Sequence, residues 1–124
     1  MNKFDQILSK NEVIFADGAT GSNLFEKGLK TGYPPELWNV EHPKRIRSVH
    51  CEFIKAGSDM ILTNSFGGIS FRLKLHKSEN RVAELNSTAA QLARQAADEA
   101  DKPVIVAGSV GPTGELLSSW SLKS

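Results

Sequence analysis

The chain has 124 residues, a length that suits one small domain and leaves little room for two. Apolar residues make up 40% and charged residues 23%, which excludes a disordered chain or a fibrous repeat. A net charge of +1 excludes broad electrostatic attraction to nucleic acid or anionic lipid, so the expected partner is a small molecule. Cys51 is the only cysteine, which rules out an intrachain disulfide and a cysteine-cluster metal site and suits a reducing compartment. No run approaches the roughly 20 apolar residues of a membrane span, and the N-terminus lacks a long apolar segment. The expected address is cytoplasmic, with no membrane partner and no feature that specifies an oligomeric state.

In chain order, Phe4 to Leu8 is a short amphipathic start. Val13-Ile14-Phe15-Ala16 is an apolar run that reads as a strand buried on both faces, ending at Asp17. A turn from Gly18 to Gly21 leads into a short helical piece ending near Gly28, and the stretch to His42 reads as loop, with Gly32 and Pro34-Pro35. Pro43 opens a helix carrying Ile46, Val49, His50, Phe53 and Ile54 at helical spacing, and Gly57 stops it. Met60 to Thr63 is a second buried strand, followed by a loop from Asn64 to Gly68. An Ala-rich stripe, Val82, Leu85, Ala89, Leu92, Ala93 and Ala96, predicts a helix from about Glu79 to Ala100, closed by Pro103. Val104 to Ala107 is a third strand, running into the glycine-rich segment Gly108 to Gly114.

Strands alternating with helices imply a parallel α/β sheet, whose ligands bind at the C-terminal ends of the strands. Asp17 stands at one such end. The glycine turn beside it could hold an anion, but it fits neither the dinucleotide pattern nor the P-loop, and a carboxylate about 4 Å from a phosphate costs on the order of 4 kcal/mol. A ligand with both an ammonium and a carboxylate, such as an amino acid, satisfies Asp17 and the turn together. The alternative is that Asp17 caps the helix or ties down the turn. Thr63, Asn64 and Ser65 are either hydrogen-bonding groups of the site or loop formers. Tyr33 and Trp38 could offer aromatic faces to a quaternary ammonium or could anchor the loop by packing.

Cys51 reads as an inert helix thiol, and His42, His50 and His76 have no ligand spacing. Lys74, His76, Lys77 and Arg81 read as a solvated, basic helix entrance.

Four motifs in register carry a resemblance: Asp17 to Gly21, Pro35 to Pro43, His50 to Asp59 with Thr63 to Gly67, and Ala107 to Glu115. In order and spacing they resemble the homocysteine S-methyltransferase family over roughly residues 10 to 117, most closely its bacterial betaine-homocysteine branch through Ser65 to Asn86. The resemblance implies a (β/α)₈ barrel that moves a methyl group from betaine or a similar onium donor to homocysteine, giving methionine. It implies that Asp17 binds the homocysteine amine, with Gly18 and Ala19 near its carboxylate and Thr63 bordering the site. Tyr33 falls where the betaine branch sets an aromatic against the donor's trimethylammonium. The family's zinc, held by three cysteines from later strands, keeps the homocysteine sulfur deprotonated; none of those cysteines is present, and Cys51 matches no zinc position.

A complete barrel takes about 250 residues and eight strands. The expectation is therefore the first three βα-type units of an incomplete barrel, residues 1–117, with an unmatched tail at 118–124 and no activity alone. A non-catalytic amino-acid-binding or interaction module is the alternative.

Overall fold

The computed structural model describes residues 3–10 and 13–112. Helix α1, Lys3–Lys10, buries Ile7 and borders a cleft with Asp59 and Pro103, while Phe4 and Leu8 stay exposed. Helices α2 (Thr20–Glu26), α3 (Trp38–Glu41) and α4 (Pro43–Lys55) precede strand β1 (Met60–Leu62). Helices α5 (Ser70–Leu73) and α6 (Val82–Asp98) lead to strand β2 (Ile105–Ala107).

The two strands pair in parallel with Met60 opposite Ile105, Ile61 opposite Val106 and Leu62 opposite Ala107. On the other side of β1, Ala16 makes a single parallel bridge to Met60. The sheet thus runs in chain order, as the alternating pattern predicts. Side chains alternate across it: Ile61 packs with Ala93, Ala96 and Ala97 of α6 and with Ile54 of α4, whereas Leu62 points the other way and is exposed. A second cluster joins Leu24, Leu29, Trp38, Ile46, Val49 and Leu92, and a third joins Leu37, Leu73 and Leu85.

The run Val13 to Ala16 corrects the sequence reading. Its backbone is held, with the Phe15 carbonyl accepting from Met60 N–H at 3.1 Å and the Met60 carbonyl accepting from Asp17 N–H at 3.0 Å. Yet Val13 is 56% and Phe15 64% exposed, so this is a bridged edge and not a strand buried on both faces. Ladder bonds need one neighbour, but burial needs a layer on each face, and no described element covers Val13 or Phe15.

The stretch before His42 is also more ordered than a loop. Pro35, with its fixed φ, opens a 3₁₀ turn through Leu37 that runs directly into α3. Between Gly68 and the long helix, α5 and a 3₁₀ turn at Lys74–His76 bury Leu73, and Lys77 ends them with a left-handed φ of 55°. The remaining helices fall where periodicity puts them, α4 stopping at Gly57, whose φ of +114° suits glycine. Thr113 to Glu115 of the last glycine-rich motif, and the tail at 118–124, lie outside the described residues.

Candidate functional site

Asp17 leaves the bridged edge at its C-terminal end and turns its carboxylate across the end of β1. Its Oδ2 accepts from the Leu62 N–H at 3.1 Å, while Oδ1 is buried with no hydrogen-bond partner. Burial pushes the carboxyl above its ordinary pKa, opposed by the backbone donors of Leu62 and Asp17 itself. A buried carboxylate oxygen without a donor is costly and is relieved by a cationic group. Gly18 and Ala19 are exposed beside it, Gly18 with its Cα face toward the Phe53 ring. The Thr20 N–H is already taken by the Gly18 carbonyl at 2.8 Å, so it is no free anion donor.

Thr63 lies one residue beyond β1, and its hydroxyl is fully engaged. Oγ1 accepts from the Ser109 N–H at 3.0 Å and lies 2.6 Å from Ser65 Oγ, which itself donates to the Ser109 carbonyl at 2.8 Å. A hydroxyl has one hydrogen, so Ser65 uses its own on Ser109 and Thr63 donates to Ser65. These contacts clamp the loops leaving β1 and β2 to each other. Gly111 completes the seam, since a methyl there would overlap the Phe66 carbonyl.

Asn64 belongs to a second clamp that local sequence does not reveal. Its Nδ2 donates to the Pro35 carbonyl and to Asn39 Oδ1, both at 2.9 Å, and Asn39 Nδ2 donates to the Asn64 carbonyl at 2.9 Å and the Leu85 carbonyl at 3.2 Å. The spacing Pro35-Glu36-Leu37-Trp38-Asn39 was the available signal, because it puts Asn39 on the first turn after the proline.

Glu36 is a further residue that composition and spacing pass over. Only 6% exposed, it sets its carboxylate against Gly67, where a Cβ would stand 2.6 Å from Oε1. Burial raises its pKa, while backbone donors of Glu36 and Gly67, then Arg72 and His76, favour the charged form. Tyr33 is 37% exposed and its hydroxyl donates to Glu41 Oε1 at 2.5 Å. Trp38 is not available to a ligand: at 5% exposed it packs in the core, with the Arg45 guanidinium 5.0 Å from its ring centre.

The structure therefore brings Asp17, Gly18, Ala19 and Thr63 to one end of the sheet. Tyr33 borders none of these residues, and two clefts lie at the Glu36 turn. One, of about 210 Å³, touches Thr20, Gly21, Asn64 and Glu36; the other, of about 160 Å³, touches Glu36, Tyr33 and His76.

The zinc implied by the resemblance finds no fit here. Among the described residues no group of three or more His, Cys, Asp or Glu could hold a metal ion. Cys51 is half-buried on α4 and borders a cleft with Lys55 and Lys102, the latter paired to Asp59 at the N-terminal end of β1, away from Asp17. Among the same residues no helix is long and apolar enough to cross a membrane.

The chain is similar to several known proteins. Betaine-homocysteine S-methyltransferase 1 of Bos taurus is 40% identical over 122 residues, covering 92% of this chain but 29% of its own length. The Rattus norvegicus enzyme of that name is 39% identical, again with 92% and 29% covered. The metallated crystal structure of the Escherichia coli homocysteine methyltransferase MmuM superposes with a TM-score of 0.75 at 29% identity, over 91% of this chain and 42% of that one. The chain thus spans about 29% of the length of the first of these relatives. The sequence profile for homocysteine S-methyltransferase matches residues 14–124, and the chain belongs to that family.

Proposed function

We propose that this chain supplies the amino-acid-binding part of a homocysteine S-methyltransferase whose donor is betaine or a similar onium compound. The observation that carries the reading is Asp17 Oδ1, buried and without a donor at the C-terminal end of a parallel sheet. An α-ammonium placed there completes the carboxylate's hydrogen bonding, and the exposed Gly18 and Ala19 backbone lies alongside for the α-carboxylate. The names of the mammalian relatives support betaine as the donor.

In the reaction, the homocysteine sulfur attacks a methyl carbon of the onium group. An S–C bond forms, the C–N bond breaks with its pair going to nitrogen, and the donor leaves as a neutral tertiary amine. A thiol of pKa about 8.5 is mostly protonated at neutral pH, so the proton must leave before attack. We assign that activation to no residue described here, because none of them fits the family's zinc. The same reading takes residues 1–117 as three units of a (β/α)₈ barrel, inactive alone, in the cytoplasm. The parallel sheet and the MmuM superposition support the barrel part of this reading.

Calorimetric titration of the chain with homocysteine tests it. Saturable binding that Asp17→Asn abolishes is expected, with no methionine formed when zinc and betaine are added; binding indifferent to Asp17→Asn overturns the reading. Asp17 serves a non-catalytic amino-acid-binding module equally well, and methionine production by the whole protein distinguishes the two.

A further inference from the structure

We propose that Glu36 determines donor specificity, its carboxylate receiving the positive end of an onium carboxylate in a channel that runs from the Asp17 turn to Tyr33. The inference rests on the methyltransferase reading above and extends it to the donor. The two clefts share Pro35, Glu36, Gly67 and Arg72 as lining residues, and the proposed channel is the pair of them joined at Glu36. One end opens at Thr20 and Gly21, next to the acceptor site, and the other at Tyr33.

Glu36 is a buried acid, and among the described residues no Lys, Arg or His lies within ion-pair distance of it. Backbone donors of Glu36 and Gly67 and the nearby Arg72 and His76 offset part of the cost of burying this carboxylate, yet burial still raises its pKa, and a cationic ligand removes the remainder. Gly67 is what allows the arrangement, since any side chain there would displace Oε1. The opposite polarity is also present: Arg72 and His76, both exposed, line the outer cleft and can take a carboxylate. Tyr33 adds an aromatic face for an onium group. One negative and one positive pole around a small channel select a zwitterion with an onium centre, ammonium or sulfonium, over an anionic folate donor.

The test titrates the full chain with betaine, S-methylmethionine, tetramethylammonium and 3,3-dimethylbutanoate, which has the shape of betaine without its cation, and follows backbone amide shifts. The onium probes are expected to shift Gly67 and Arg72, with dimethylbutanoate at least about tenfold weaker. The stronger of betaine and S-methylmethionine identifies the onium class. Glu36→Gln is expected to remove the discrimination while homocysteine still binds. Gly67→Ala, which pushes the carboxylate aside, is expected to do the same and serves if Glu36→Gln does not fold.

Equal affinity for betaine and dimethylbutanoate, no onium binding at all, or discrimination that survives both variants overturns the proposal. Homocysteine binding with no onium binding refutes the role of Glu36 alone. Onium binding with no homocysteine binding refutes the acceptor reading and leaves the recognition at Glu36 standing.

Discussion

Asn39 and Asn64 are locked side chain to side chain: Asn64 Nδ2 donates to Asn39 Oδ1 at 2.9 Å, and Asn39 Nδ2 returns a 2.9 Å bond to the Asn64 carbonyl. Both residues are buried, so their amides cannot fall back on water. The pair ties the loop after β1 to the proline turn and, through the Leu85 carbonyl, to α6.

Replacing Asn39 with Ala strands the Asn64 carbonyl and one Asn64 donor bond in a dry site, while the Leu85 carbonyl keeps its helical bond. An unmet buried group costs about 1 to 3 kcal/mol, and a loss on the order of 3 kcal/mol is expected. The urea midpoint should fall with little change in slope; an unchanged midpoint would show that the pair contributes nothing.

His50 is 2% exposed, and neither ring nitrogen has a hydrogen-bond partner. Burial lowers its pKa from 6.5 to about 4, so the folded chain favours the neutral ring. The unfolded chain binds the proton first, and the neutral ring's contribution is therefore complete above pH 6.5 and lost as pH falls toward 4. That loss is on the order of 3 kcal/mol. His50→Leu should flatten the stability profile across this window in urea titrations, and a profile as steep as that of the parent would contradict the assignment.

Thr63→Val keeps the shape of the side chain but removes the acceptor for Ser109 N–H and the donor to Ser65. A destabilisation of about 1 to 2 kcal/mol is expected, with faster hydrogen exchange at the Ser109 amide. Thr63→Ser retains the hydroxyl and should protect that amide nearly as well. Equal exchange in the two variants would remove Thr63 from the clamp.

At Asp17 stability and binding are expected to oppose each other. Because burial raises its pKa, the protonated form is favoured on folding, and that contribution is lost as pH rises through the folded value. Asp17→Asn keeps an acceptor for Leu62 without the charge, so at pH 7 it should be no less stable than the parent while losing homocysteine. A variant both unstable and non-binding would leave Asp17 a turn former.

Much of the chain's organisation follows from local pattern. The helices α4 and α6 are written in apolar spacing, their ends in Pro43, Gly57 and Pro103, and the strands β1 and β2 in short apolar runs. Asp17 was visible as a charge at a strand exit, a place where local chemistry alone is informative. What depends on neighbours was not visible. Val13 and Phe15 have the composition of a buried strand, but burial is decided by layers from elsewhere, and no described element covers them.

Sequence left Thr63 as either a site group or a loop former, and only Ser65 and Ser109 beside it show its hydroxyl engaged in a clamp between loops. Of the two readings open for Trp38, ligand face or packing anchor, α4 and α6 decide for packing by closing over it. Glu36 is an ordinary acid in a Pro-Glu-Leu stretch, and only the approach of Gly67, from the loop after β1, makes it a buried carboxylate bordering two clefts. Sequence by itself determined the periodicities and the breaks, because these arise from each residue's own backbone and hydropathy. Tertiary structure decided which polar groups lost water and which found partners, because desolvation is a property of everything packed around a side chain.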